Sequence, residues 1–117
     1  MEKRTTRKGQ KYRHTPAFIL LLLAQSEAYG ASLMNRLESE LPAYRTDSAV
    51  IYRTLQDLEQ IGAVESYWEH EQSGPPRKWY KITEIGRNQL REYREDIAMR
   101  HQNLSYFLKV YENLSQG

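Results

Sequence analysis

The chain contains no cysteine in 117 residues. Disulfides, thiolate zinc sites and thiol nucleophiles are thereby excluded, and the composition fits a reducing, cytoplasmic setting. Long hydrophobic runs are missing too. Ala17 to Ala24, A-F-I-L-L-L-L-A, is only a short apolar run, far below the roughly 20 residues of a membrane span. Histidine occurs three times, at positions 14, 70 and 101. None of the three stands at a recognisable metal or triad spacing from a carboxylate, so neither catalysis nor a cofactor is expected. Net charge is small as well, +2 at neutral pH.

That small net charge conceals an asymmetry. Lys3, Arg4, Arg7, Lys8, Lys11 and Arg13 crowd residues 1–14, opposed only by Glu2. Residues 15–83 are net acidic, and residues 84–117 are balanced. Any phosphate-binding surface must therefore be built locally, from the arm and a few placed cations. With 39% hydrophobic and 27% charged residues, the remainder reads as one soluble globular domain with a small core.

Residues 1–14 have no apolar period and read as a flexible basic arm. The arm is either a solubilising tail or a segment that tracks a nucleic-acid backbone. Thr15 and Pro16 then signal a helix start, with Thr15 as N-cap. A basic start before a short apolar run also mimics a secretory signal, but Ala24-Gln25-Ser26 is a poor cleavage site. The run is read as a buried first helix. Tyr29-Gly30 interrupts it, and Ala31, Leu33, Met34, Leu37 and Leu41 mark a second amphipathic helix stopped by Pro42.

A turn over residues 43–46 leads to Asp47–Gly62. Ile51, Leu55, Leu58 and Ile61 recur at helical spacing and predict one buried face. Asp47 suits the N-cap, and Gly62 suits a left-handed exit. Ser48, Tyr52, Arg53, Gln56 and Gln60 occupy the other face. Such donors on a short helix after a helix and turn suit the reading of base edges in a major groove. The plainer alternative is an ordinary surface helix.

After Gly62 the period changes to two. Val64, Ser66, Trp68 and His70 alternate with Glu65, Tyr67 and Glu69, a half-buried strand. Gln72 to Pro76 form a turn, and Arg77 to Thr83 return, giving a β-hairpin with Arg77 and Lys78 near its tip. Those cations are placed for phosphate, or are simply solvated. Thr83 caps a long last helix. Leu90, Tyr93, Ile97, Arg100, Leu104, Phe107, Tyr111 and Leu114 follow alternating spacings of three and four, a coiled-coil seam with Arg100 in one slot. So long a stripe predicts a homodimer.

The whole is mainly α with a small β-hairpin (α+β): a winged helix-turn-helix, residues 15–83, followed by a C-terminal dimerisation helix, residues 84–117. The blocks L-L-L-L-A-x5-Y-G-x-x-L-M, V-I-Y-R-T-L-x-x-L-E-x-I-G and S-G-P-P-R-K-W-Y-K-I-T-E-I-G resemble the PadR family of bacterial transcriptional regulators over about Ala17 to Leu90. The family's pattern falls on Tyr29, Gly30, Tyr52, Leu55, Gly74, Pro75, Arg77, Tyr80, Thr83 and Gly86. Arg53 stands where the family often has proline, adding a donor to the exposed face. The wing block and H-Q-N-L-S-Y-F-L-K-V-Y are also similar to a subgroup described as polyhydroxybutyrate-responsive repressors.

The resemblance implies a repressor that binds double-stranded operator DNA as a two-fold dimer and is released by an effector. Ser48, Arg53 and Gln56 are expected at base edges. Tyr52, Arg77 and Lys78 are expected at phosphates, with Lys8, Lys11 and Arg13 adding non-specific affinity. Trp68 and Trp79, with Tyr93, Phe107 and neighbouring tyrosines, are the candidates to line a pocket between subunits for a small apolar effector, or are plain core. The rival reading is a winged-helix adaptor that binds protein instead of DNA.

Overall fold

The computed structural model describes residues 13–43, 47–70 and 74–114. Lys8, Lys11 and most of the expected arm lie outside the described residues, as do residues 44–46 and 71–73 of the two expected turns. The element order is α1 (Thr15–Gln25), β1 (Ala28–Tyr29), α2 (Gly30–Glu40), α3 (Ser48–Gln60), β2 (Val64–Glu69), β3 (Arg77–Ile82) and α4 (Glu84–Leu114).

Helix α1 is the centre of the body. Ala17, Ile19, Leu20, Leu22 and Leu23 are all buried, because the helix is apolar almost all round and is covered by α2, α3, β3 and α4. Its start differs from the sequence expectation. His14 precedes the first turn and its carbonyl accepts from the Phe18 N–H at 3.0 Å. Thr15 is already helical and buried, so its side chain packs inside the body rather than capping.

Helix α2 turns Leu33 and Leu37 into the same core, with Met34 and Leu41 packed beside them. Ala31, expected on that stripe, is exposed. The Ser32 hydroxyl accepts from the Tyr29 N–H and donates to the Tyr29 carbonyl, closing the first turn. The helix ends at Glu40, with Leu41 extended as Pro42 requires of its predecessor.

Helix α3 follows its predicted pattern closely. The Asp47 carboxylate accepts from the Ala49 N–H at 3.0 Å, capping the free end. Ile51, Leu55 and Leu58 are buried. Ile61 was expected on the same face but is 52% exposed. The helix stops at Gln60, and Gly62, with φ of +84°, then swings the chain into β2.

The sheet holds one strand that periodicity did not predict. Its order is β1-β3-β2, all antiparallel. Ala28 pairs with Tyr80 and Tyr29 with Trp79, so the segment between α1 and α2 is a strand rather than a simple break. Val64, Tyr80 and Ala28 face the core. At the far end Trp68 is 57% exposed, because the hairpin there extends beyond the helices that cover Val64.

Thr83 joins the wing to α4. Its N–H donates to the Ala63 carbonyl, its hydroxyl donates to the Gly62 carbonyl at 2.5 Å, and that hydroxyl accepts from the Gly86 N–H. The expected cap is therefore also a clamp on the α3–β2 turn. Helix α4 has 31 residues and a length of about 46 Å. Its apolar stripe divides into two parts. Leu90 and Tyr93 are half-buried and pack against the core, while Leu104, Phe107, Tyr111 and Leu114 are 60–68% exposed. Within one chain, α1 covers part of the first half of the stripe that spacing marks as a dimer seam.

Candidate nucleic-acid interface

Helix α3 sits with its buried stripe on α1 and the opposite face open to solvent. Ser48, Tyr52, Arg53, Gln56 and Gln60 are all exposed, as the helical period predicted. On a 100° wheel Ala49, Arg53, Gln56 and Gln60 point directly away from the buried stripe. Arg53 and Gln56 have no hydrogen-bonding or ionic partner among the described residues. Their forked and amide groups match guanine and adenine edges respectively. Asp57 is exposed on the flank of this face, four residues after Arg53. Sequence reasoning overlooked it, although the same spacing would have revealed it. A carboxylate there accepts from a cytosine amino group and repels phosphate.

Ser48 and Tyr52 occupy the flank of α3 nearest the sheet. The Tyr52 ring lies against Gly30, where a Cβ would overlap its edge and hydroxyl. Tyr52 thereby fixes the angle between α2 and α3 while remaining 49% exposed. Its expected phosphate role is compatible with the exposure, but the ring is also a spacer between the two helices.

The wing is tied to α3 through Glu59. One carboxylate oxygen accepts from the Ser66 hydroxyl at 2.6 Å, and the other lies 3.6 Å from the Lys78 ammonium. Lys78 also lies 5.9 Å from the Trp68 ring centroid and 5.7 Å from that of Tyr80. Burial pushes the Tyr80 hydroxyl above its ordinary range, so it remains neutral beside this cation. Arg77 points to the other face of the strand, over the Tyr29 ring at 4.7 Å. Tyr29 meets Trp79 edge-on at 5.0 Å, and the Trp79 indole donates to Glu69. The two wing cations thus flank the strand on opposite faces.

Other expected groupings come apart. Arg13 is exposed, but its neighbour His14 lies against Asp96 of α4, 3.7 Å away, not against α3. Arg100, placed in the seam by spacing, pairs with Asp96 at 2.8 Å one turn earlier. Within one chain Trp68 and Trp79 belong to the wing, apart from Tyr93 and Phe107. Tyr93 lines a groove of about 830 Å³ between α1 and α4, with Phe18, Leu21, Leu90 and Ile97. Phe107 stacks on Tyr111 near the end of α4, beside a different cavity. The wing tryptophans fall outside both because each is paired within the sheet. Among the described residues no cluster of His, Cys, Asp and Glu could hold a metal ion. No described helix is long and apolar enough to cross a membrane.

The family model for the transcriptional regulator PadR-like family matches residues 19–92, from the core of α1 into α4. The chain belongs to the PadR-like family. Members are transcriptional regulators rather than enzymes. A PadR family transcriptional regulator from Eggerthella lenta superposes with a TM-score of 0.74 at 23% identity, covering 90% of each chain. The circadian clock associated protein Pex from Anabaena is 33% identical, with a TM-score of 0.59, over 74% of this chain and 79% of its own. PadR of Bacillus subtilis in complex with operator DNA matches with a TM-score of 0.63 at 23% identity, covering 70% of this chain and 47% of that one. Together these structures establish the PadR winged-helix fold. This chain spans about half the length of the Bacillus subtilis protein.

Proposed function

We propose that this PadR-family protein is a cytoplasmic transcriptional repressor that binds an inverted-repeat operator as a homodimer. The observation that carries the reading is the open face of α3. Arg53 and Gln56 project from it without partners among the described residues, beside a wing tied to the same helix by Glu59. That arrangement offers base-reading groups and a phosphate-contacting ribbon at one side of the body. The operator complex of Bacillus subtilis PadR supports the choice of duplex DNA over a protein partner.

In this reading residues 15–83 read the DNA, residues 84–117 join two copies, and the basic segment 1–14 adds salt-sensitive affinity. Dimerisation draws mainly on Leu104, Phe107, Tyr111 and Leu114, which are left exposed by the described residues of their own chain. Ile97 and Arg100 border that surface, and Leu90 and Tyr93 support it from the core. A small apolar effector has its best site in the α1–α4 groove beside Tyr93. Occupancy there would shift α4 against the reading head, provided the two arrangements bind it unequally.

Selection of bound fragments from the source genome tests the proposal. Enrichment of a two-fold symmetric site by the unchanged protein is the expected result. Equal retention of all fragments, or of none at low ionic strength, contradicts it.

A further inference from the structure

The Glu59–Lys78 pair has an uneven construction. Ser66 holds the Glu59 carboxylate by a short hydrogen bond at 2.6 Å, whereas the Lys78 ammonium stands 3.6 Å from the other oxygen. The first is a firm charge-assisted bond. The second is an ion pair beyond hydrogen-bond distance, with both side chains more than a third exposed. Lys78 can leave while Glu59 remains fixed to β2 and the wing stays in place. Its other neighbours, the Trp68 and Tyr80 rings, attract a cation without neutralising it.

We infer that Lys78 is an exchangeable cation: Glu59 holds it in the free protein, and a DNA phosphate takes it over in the complex. Glu59 then sets overall DNA affinity without touching DNA. Each phosphate contact by Lys78 must first displace the carboxylate, which weakens binding to every sequence alike. Arg53 and Gln56, having no partner among the described residues, bear no such handicap. Discrimination between sequences is thereby left to the α3 face, while the Glu59–Lys78 exchange sets the affinity common to all of them. The inference rests on the DNA-binding reading above.

Three variants compared with the unchanged full-length protein test it, using salt titrations of binding to one operator fragment and one random duplex. Glu59→Gln keeps an acceptor for Ser66 and removes the charge. It should raise affinity for both duplexes about two- to fivefold. Lys78→Gln should lower affinity for both and reduce the slope of log affinity against log salt by about 0.9. In the double variant, Glu59→Gln should add nothing to Lys78→Gln. A gain of the same size with Lys78 absent would show that Glu59 acts only as a general repulsive charge, and would overturn the exchange. So would an unchanged or lowered affinity in Glu59→Gln with its melting temperature preserved. If the unchanged protein binds neither duplex, the DNA-binding reading itself fails. If it binds and the two substitutions are additive, the exchange alone fails.

Discussion

The ring of Tyr52 lies across the backbone of Gly30, so the first residue of α2 and the reading helix α3 share one point of contact. A side chain at position 30 would require the Tyr52 ring to move. Gly30→Ala should cost about 1–3 kcal/mol by forcing the ring aside. Because the displaced ring belongs to α3, DNA affinity should fall along with stability. Thermal unfolding and duplex binding of the same variant check both effects.

Gly86 is more constrained. A Cβ there would overlap the Ala63 carbonyl and the Ile82 side chain, and a backbone oxygen moves less readily than the far end of a tyrosine. Gly86→Ala should therefore destabilise at the upper end of the about 1–3 kcal/mol range or beyond it. Chemical denaturation should rank it below Gly30→Ala.

At the reading face, Arg53→Ala should lose about 1–3 kcal/mol of operator affinity and relax preference at one base position. Random duplexes should bind it with little change. Selection of binding sites by the variant, compared with the unchanged protein, locates the position. An identical selected sequence would reassign Arg53 to the backbone or to no contact at all.

The end of α4 predicts a separable defect. Phe107→Glu with Tyr111→Glu places charges on a stacked pair that the described residues leave exposed. The dimer dissociation constant should rise more than about 30-fold, while the helical content of residues 15–83 is kept. Sedimentation and circular dichroism distinguish the two.

Asp96 gives a dependence on pH. The hydrogen bond from Arg100, with a smaller contribution from His14, holds its carboxyl below the ordinary carboxylate range. Its stabilising contribution is complete above the unfolded-state value of about 4 and is lost as pH falls through the lower folded-state value. Asp96→Asn should flatten the fall in melting temperature below about pH 4. The effect will be small, since the pair is exposed.

Much of this was readable from residue order because it is local. The stripe Ile51, Leu55 and Leu58, the cap at Asp47, the exit at Gly62 and the cap at Thr83 each depend on neighbours within a turn or two. What escaped is non-local. Strand β1 is two residues long, too short to show a period, and exists through its pairing with Tyr80 and Trp79. Ile61 was assigned to the core because spacing does not reveal where a helix stops. The Glu59 contacts to Ser66 and Lys78 join three elements, and no spacing rule connects them. On α4, periodicity alone cannot say which partner covers each part of the stripe, and within one chain α1 covers part of the first half.

If two copies of this chain grip one duplex through paired α3 faces, sedimentation with a fluorescent fragment selected from the source genome should give two chains per fragment, with a length-matched random fragment released first as salt is raised. A single chain per fragment, or the same release for both fragments, would contradict it.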